Sequence, residues 1–182
     1  IFVNYGEMMQ SDTPNQIIGV LAHETGHLAG GHLSKLREQL GAALEVILHD
    51  EKLQAALRAR GRDALLKQAA PVLTQLDDHY GITHFYFEDS ARINVLRVHQ
   101  PERHGDTINR HTTLTAEKTG KIATGAELGP IGTFTLRAVA PLYDSNGLVG
   151  YVELGEEIED VLHDIQAIVG TDHLLAIDKQ FL

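Results

Sequence analysis

The chain has 182 residues, a formal charge of −10 and no cysteine. This length fits one ordinary domain with its own core, or a small domain with an appendage, but not two complete catalytic domains. The acidic balance excludes an extended nucleic-acid surface, which needs clustered Lys and Arg, and the lack of cysteine excludes disulfides and thiolate chemistry. No apolar run reaches the roughly 18 residues of a membrane span, and no signal-peptide pattern is visible.

The first 40 residues predict a short strand followed by a long helix. Ile1–Tyr5 has the composition of a strand, and Thr13 with Gln16 three residues later resembles a capping box. The helix is expected to run from about Asn15 towards Leu40. The chain starts without Met and ends just after another apparent strand, so we expect it to be a piece of a longer protein.

The sequence "VLAHETGHLAGGH" places two histidines four residues apart on that helix. His23 and His27 can therefore offer ring nitrogens to one Zn²⁺, with Glu24 placed to take a proton from zinc-bound water. His32 is nine residues after His23 and points to the opposite side of a continuous helix, so it is not expected to be a third ligand. The alternative is that these histidines are merely packed or solvated.

The segment "IFVNYGEMMQSDTPNQIIGVLAHETGHLAGGHLSKLREQL" resembles the catalytic-helix segment of the HtpX-like and BepA-like gluzincin metallopeptidases. This resemblance implies that His23 and His27 bind zinc, that Glu24 is the general base, and that a glutamate on a later helix completes the site. Beyond Leu40 no segment continues the family, although Glu156 or Glu157 could nominally serve. We therefore expect residues 1–41 to be a partial metallopeptidase segment that does not cleave proteins alone.

From Leu44 to Asp77 the apolar residues recur at helical spacing, and Gly61 and Pro71 interrupt them, which predicts two or three helices. The candidate seam between this region and the first helix is "LGAAL", Leu40–Leu44.

After "HYG" the pattern changes to strands. The predicted strands are "ITHFYF", "INVLRVH", "KIATGAEL", "GTFTLRAVAPLY" and "LVGYVELG". A short helix is expected over Thr112–Thr119, a hairpin turn at Asn146-Gly147, and an amphipathic helix over "EEIEDVLHDIQAIVG". Long helices followed by an antiparallel sheet with flanking helices define an α+β fold.

Residues from about 43 to the end resemble the double Cache sensor domains of bacterial chemoreceptors, sensor kinases and diguanylate cyclases. The motifs are "YGITHFYFEDSARINVLRVHQPERHGDTINRHT", "TGAELGPIGTFTLRAVAPLYD" and "GYVELGEEIEDVL". The resemblance implies a Cache/PAS-like sheet in residues 42–182, truncated at its C-terminus, with a periplasmic or extracytoplasmic location. It also implies a small-molecule ligand, membrane association only through flanking segments, and a homodimer through the N-terminal helices.

Polar residues alternate with apolar ones in the predicted strands and can converge on one ligand pocket. Arg97, Arg137 and His99 are candidates for binding an anion, since a guanidinium can hold a carboxylate through two hydrogen bonds. The predicted ligand-binding set is completed by Tyr86, Glu127 and Tyr143. The alternative is that the arginines pair internally with Glu127 or Glu153, and "PERHGD" is expected to be a loop over the pocket mouth.

The sequence supports two alternative functions. A third interpretation, which concerns the origin of the chain, also stays open. The first is an extracytoplasmic small-molecule sensing domain of a bacterial signal-transduction receptor. The second is a zinc-dependent metalloendopeptidase that uses His23, Glu24 and His27. The third is a junction of two incomplete segments joined near Gly41.

Overall fold

The computed structural model describes residue 31, residues 33–128 and residues 134–157. The helices are α1 (residues 33–48), α2 (Glu51–Arg58), α3 (Arg62–Tyr80) and α4 (His111–Thr119). The strands are β1 (His84–Asp89), β2 (Asn94–Arg97), β3 (Ala123–Leu128), β4 (Phe134–Asp144) and β5 (Gly147–Glu157). The predicted zinc residues His23, Glu24 and His27, the strand expected over residues 1–5 and most of the last predicted helix lie outside the described residues.

Helix α1 is continuous across the predicted seam. Leu36, Leu40 and Leu44 recur every four residues, so they share one face of the helix, and all three are buried in the same apolar core. Residues on both sides of Gly41 therefore pack against one core. The domain boundary near residue 42 stays a prediction.

Local residues determine where helix α2 begins and where helix α3 ends. The side chain of Asp50 accepts hydrogen bonds from the backbone N–H groups of Lys52 and Leu53, which caps α2. Helix α3 continues through Pro71, so the predicted interruption there is wrong. Proline removes one backbone donor, but the flanking turns of α3 keep their helical form up to Gly81, whose left-handed φ of 67° ends it.

The five strands form one antiparallel sheet in the order β2-β1-β5-β4-β3, which confirms the predicted strands. The β4–β5 hairpin turns before Gly147, which has a φ of 117°. Strand β5 extends through Glu157, with Glu156 paired to Leu136. The prediction that a helix already starts at Glu156 is therefore wrong, because Glu156 and Glu157 are paired with β4 in the sheet.

The two faces of the sheet differ in character. One face packs against α1, α2 and α3 and supplies apolar core residues: Phe85, Phe87, Leu96, Leu136, Ala138, Val152 and Leu154. The opposite face, called the polar face below, carries the residues that alternate with them: His84, Tyr86, Glu88, Arg97, Arg137 and Glu153. Helix α4 packs over the β3 and β4 part of this face. In the described part of the chain, no helix combines the length and apolar content that crossing a membrane requires.

Candidate ligand-binding site

Three arginines surround the ring of Tyr86 on the polar face. The Cζ atoms of Arg97, Arg110 and Arg137 lie 5.4, 5.0 and 5.7 Å from the centroid of this ring. The arginines come from β2, from the residue before α4 and from β4, so the fold converges three separate segments on one tyrosine. Cations at this distance from an aromatic face are attracted by its quadrupole. We call these four residues the arginine cluster.

One buried carboxylate serves two of these arginines. Glu153 is 0% exposed, and its Oε1 accepts a hydrogen bond from Arg137 Nη1 at 2.5 Å. Arg110 Nη2 donates to both oxygens of the same carboxylate at 2.7 Å. The predicted alternative of internal pairing with Glu153 is therefore present for Arg137.

Arg97 pairs with a different carboxylate, which lies in the loop after β2. Its two terminal nitrogens donate to the two oxygens of Asp106 at 2.7 and 2.6 Å, and Nη1 also donates to the carbonyl of Arg103 at 2.7 Å. These contacts hold the "PERHGD" segment against the polar face. The side chain of Asp106 remains 51% exposed, so this ion pair lies at the edge of the arginine cluster.

Two histidines next to Tyr86 are neutral at neutral pH. Burial, and then the neighbouring His99 and the arginines, lower the pKa of His84 to about 3; burial, and then Arg97 and Arg137, lower the pKa of His99 to about 4. The two rings lie 4.5 Å apart, and the His99 ring meets Tyr86 edge-on at 4.9 Å. Because His84 is uncharged, its 3.9 Å contact with Glu157 is not an ion pair at neutral pH.

Glu127 and Tyr143, the other predicted ligand-binding residues, are not brought to the arginine cluster. The carboxylate of Glu127 accepts hydrogen bonds from the backbone N and the Oγ1 of Thr112 at 2.7 and 2.9 Å, and so holds the first turn of α4 on β3. A Cβ on Gly125 would lie 3.1 Å from Thr112, which shows how closely α4 approaches this strand. Tyr143 is 52% exposed beside the β4–β5 turn.

A second group of buried polar side chains lies beside the arginine cluster, and one of them, Glu88, interacts electrostatically with Glu153. Glu88, Asn94 and Tyr151 are buried register neighbours on β1, β2 and β5. Both oxygens of Glu88, both polar atoms of the Asn94 side chain and the Tyr151 hydroxyl lack hydrogen-bond partners among the described residues. Burial, and then the nearby charge of Glu153, raise the pKa of Glu88 well above its ordinary value. We call these three residues the unpaired cluster.

The sequence predicted part of this site. Tyr86, Arg97, His99 and Arg137 were predicted and lie together, whereas Arg110, His84, Glu88 and Glu153 were not in the predicted binding set. Arg110 lies outside every strand, so alternation could not identify it. Glu88 precedes the turn "DSAR", where a charged residue is ordinarily solvated.

An antiparallel five-stranded sheet with helices on its apolar face is the fold of Cache/PAS-like sensor domains. Residues 23–181 match the family model dCache_3, described as the double sensory domain of two-component sensor kinase, and the chain belongs to this family. The match begins within the HExxH motif at His23, so it supports the sensor resemblance and leaves the metallopeptidase resemblance of residues 1–40 as a prediction.

Solved structures with a similar fold include three bacterial sensor domains. The Escherichia coli DcuS sensor domain matches with a TM-score of 0.62 and 17% identity over 74% of this chain and 98% of its own. The sensor domain of the Vibrio cholerae histidine kinase DctB matches with a TM-score of 0.69 and 13% identity over 85% and 61%. The periplasmic domain of Vibrio cholerae LuxQ matches with a TM-score of 0.56 and 13% identity over 81% and 70%. No curated protein matches the sequence.

The chain spans nearly all of the DcuS sensor domain but less than two thirds of the DctB one. These identities are low, so the likeness shows the fold and leaves the ligand to be inferred from the residues themselves.

Proposed function

We propose that this chain is the ligand-sensing part of an extracytoplasmic domain of a bacterial signal-transduction receptor, and that its ligand is a small carboxylate bound at the arginine cluster. Membership of a family of double sensory domains supports the sensing role. The likeness to a domain described as periplasmic supports the location. The main support for a carboxylate ligand is that Arg110 and Arg137 share a single carboxylate, Glu153.

The arginine cluster has more positive than negative charge. Among the described residues, its three guanidinium groups form ion pairs with only two carboxylates, Glu153 and Asp106. The adjacent histidines contribute no charge at neutral pH, since burial first and neighbouring charges second lower their pKa values. A buried charge without a counter-ion costs several kcal/mol, so an incoming anion has a large electrostatic gain available here.

The arginines also keep free donors. The buried Nε–H groups of Arg110 and Arg137 have no hydrogen-bond partner in the described structure. A guanidinium uses Nε together with one terminal nitrogen to hold a carboxylate through two parallel hydrogen bonds. A carboxylate at this site would therefore receive donors as well as charge.

Asp106 is the internal carboxylate that a ligand can replace at least cost. It is half exposed, whereas Glu153 is fully buried between two arginines. Displacing Asp106 from Arg97 would free the Asp106 side chain from the arginine cluster, while Glu153 would keep Arg110 and Arg137 in place. Ligand binding is thereby coupled to the loop that leads into α4.

A thermal-shift screen of small organic acids with the 182-residue chain tests this proposal. A ligand that binds only the native state raises its stability by RT ln(1 + [L]/Kd), about 2.7 kcal/mol at a hundred times Kd. We expect at least one acid to raise the melting temperature with concentration, and Arg97→Ala and Arg110→Ala to lose that response. Arg58→Ala is the control, because Arg58 is 44% exposed and pairs with Asp144.

Two results would contradict the proposal. One is the absence of a shift with every acid. The other is a shift of the same size in the wild type, Arg97→Ala and Arg110→Ala.

The zinc hypothesis remains a separate prediction for residues outside the described structure. If His23 and His27 hold Zn²⁺ and Glu24 acts as a base, the chain retains about one zinc after dialysis, and His23→Ala loses it. Cleavage of casein that disappears in Glu24→Gln would establish the metalloendopeptidase alternative. Catalytic zinc sites ordinarily have three protein ligands, and the motif provides only two histidines. We therefore favour the sensor proposal over this one.

The predicted homodimer through the N-terminal helices also stays a prediction. Val46 of α1 and Tyr80 of α3 are exposed large apolar residues. They line a groove of about 580 Å³ between these two helices. Light scattering of the wild type and Val46→Asp would measure whether this face joins two copies.

A further inference from the structure

The unpaired cluster brings together buried polar atoms that no protein group satisfies by hydrogen-bond geometry among the described residues. Glu88, Asn94 and Tyr151 are almost completely buried, and five of their polar atoms lack partners among the described residues. A buried donor or acceptor left without a hydrogen bond costs about 1–3 kcal/mol. Buried polar groups in native proteins are nearly always bonded, so three adjacent side chains with unbonded polar atoms favour a hydrogen-bonding ligand at this place.

The unpaired cluster adjoins the arginine cluster. Glu88 follows Tyr86 by two residues on β1, so both side chains are on the polar face and about 6.6 Å of strand separates them. Tyr151 likewise precedes Glu153 by two residues on β5. A molecule of a few carbon atoms that places its carboxylate in the arginine cluster can therefore reach Glu88 with a substituent of its carbon chain.

The side chains of the unpaired cluster are suited to binding a hydroxyl group. A protonated carboxyl, an amide and a phenol can each both donate and accept a hydrogen bond, as a hydroxyl does. Burial and the charge of Glu153 raise the pKa of Glu88, which favours its neutral form. An ammonium group would instead be repelled by Arg110 and Arg137, which act electrostatically on Glu88, and a neutral Glu88 would give it no counter-ion.

We propose that Glu88, Asn94 and Tyr151 form a second subsite that binds a hydroxyl group of the ligand, so that the sensor recognises a hydroxy acid. This inference rests on the proposed binding of a carboxylate at the arginine cluster. It adds that the sensor discriminates by the substituent next to that carboxylate. Sites built to bond a hydroxyl reject analogues that lack it, because their own polar groups are then left unpaired.

Three matched series of acids test the subsite by calorimetry on the full chain. Propionate, lactate and alanine form the first, succinate, malate and aspartate the second, and glutarate, 2-hydroxyglutarate and glutamate the third, with both enantiomers of each chiral acid. Within each series the substituent is hydrogen, hydroxyl or ammonium. We expect one hydroxy acid to bind at least ten times more tightly than both of its matched partners.

Tyr151→Phe assigns that preference to the subsite. It removes only a hydroxyl without a partner, so the variant is expected to fold with a melting temperature at or above that of the wild type. The affinity of the hydroxy acid should fall at least fivefold, while that of the matched plain acid stays within twofold. Asn94→Leu is the second variant with the same expectation, and Tyr80→Phe is the control because Tyr80 is an exposed residue of α3.

The outcomes separate this inference from the proposed function. If none of the nine acids binds, the carboxylate proposal fails and the subsite fails with it. If plain and hydroxy acids bind equally, or the amino acids bind most tightly, only the subsite is wrong. A hydroxyl preference that survives in both Tyr151→Phe and Asn94→Leu also overturns it.

Discussion

Glu153 and Arg137 lie on neighbouring strands of the sheet and form an ion pair of 2.5 Å with both side chains shielded from solvent. The register places Arg137 opposite Gly155, so the glycine leaves the space through which the arginine reaches the residue two positions away on β5. A Cβ at Gly155 would lie 2.9 Å from Thr135 and 3.3 Å from His84, which shows how little room remains there. The pair is thus fixed by strand geometry before any ligand is present.

Glu153→Gln should destabilise the protein by about 3–5 kcal/mol, since breaking a buried ion pair leaves an uncompensated charge. Here Arg110 and Arg137 would both lose their carboxylate. Urea unfolding at pH 7 measures the loss. Asp144→Asn is the matched control, because it breaks the partly exposed pair with Arg58 and should cost at most about 1 kcal/mol. Equal effects of the two variants would show that the buried pair contributes little.

Acid should destabilise the protein through His84 and His99. Their folded-state pKa values of about 3 and about 4 lie below the ordinary value of 6.5. Between these limits the unfolded chain binds more protons than the folded one, so stability is full above pH 6.5 and is lost as the pH falls towards the folded pKa values. The slope for each histidine reaches about 1.4 kcal/mol per pH unit.

Unfolding free energies measured between pH 7 and pH 5 test this dependence before most carboxylates titrate. His84→Gln with His99→Gln should flatten the curve relative to the wild type. His49→Gln with His79→Gln is the control pair, since these histidines bond backbone carbonyls on exposed helix surfaces. An unchanged slope in the first double variant would mean that the two histidines are not buried in the neutral form.

The titration of Glu88 should change the stability with pH in the opposite direction from the titration of His84 and His99. Its pKa is raised in the folded state by burial first and by Glu153 second, so the folded chain keeps a proton that the unfolded chain has lost. Stability from this group is therefore full below pH 4.5 and is lost as the pH rises through the folded pKa. Replacing it with a neutral amide removes that loss.

Glu88→Gln is consequently expected to stabilise the protein at pH 7 more than at pH 4.5, by an amount that grows at up to about 1.4 kcal/mol per pH unit. Urea unfolding at both pH values measures the difference. Glu38→Gln, on the exposed side of α1, should change the stability little at either pH. A Glu88→Gln effect that is the same at both pH values would show that Glu88 has an ordinary pKa.

Alternation along the strands predicted the sheet and placed three residues of the arginine cluster on one of its faces. Tyr86, Arg97 and Arg137 stand at polar positions within otherwise apolar strands, and the period of two residues places them on one face. This pattern also predicts that an arginine in such a strand needs a partner. It cannot show which partner it takes, because the choice of Asp106 for Arg97 depends on the path of a loop.

The residues that sequence reasoning missed depend on tertiary packing. Arg110 precedes α4 and reaches Glu153 from the start of that helix, which Glu127 holds on β3 through Thr112. Glu88 is buried because β2 and β5 cover it from both sides. Helix α3 passes through Pro71 since packing of its apolar face outweighs the local loss of one hydrogen bond, which no propensity scale includes.

Two glycine-to-alanine substitutions should have opposite effects on stability. A Cβ on Gly150 would lie 2.0 Å from the carbonyl oxygen of Glu88, a backbone atom that cannot move without parting β1 from β5. Gly150→Ala should therefore destabilise by more than about 2 kcal/mol, within the range of forced overpacking and backbone shifts.

Gly41 lies within α1, and a Cβ there would meet nothing within 4 Å. Gly41→Ala should stabilise by about 0.5–1 kcal/mol, because alanine loses less backbone freedom in a helix. Thermal and urea unfolding of both variants measure the effects, and a Gly150→Ala protein as stable as the wild type would mean that β1 and β5 are less closely paired than described.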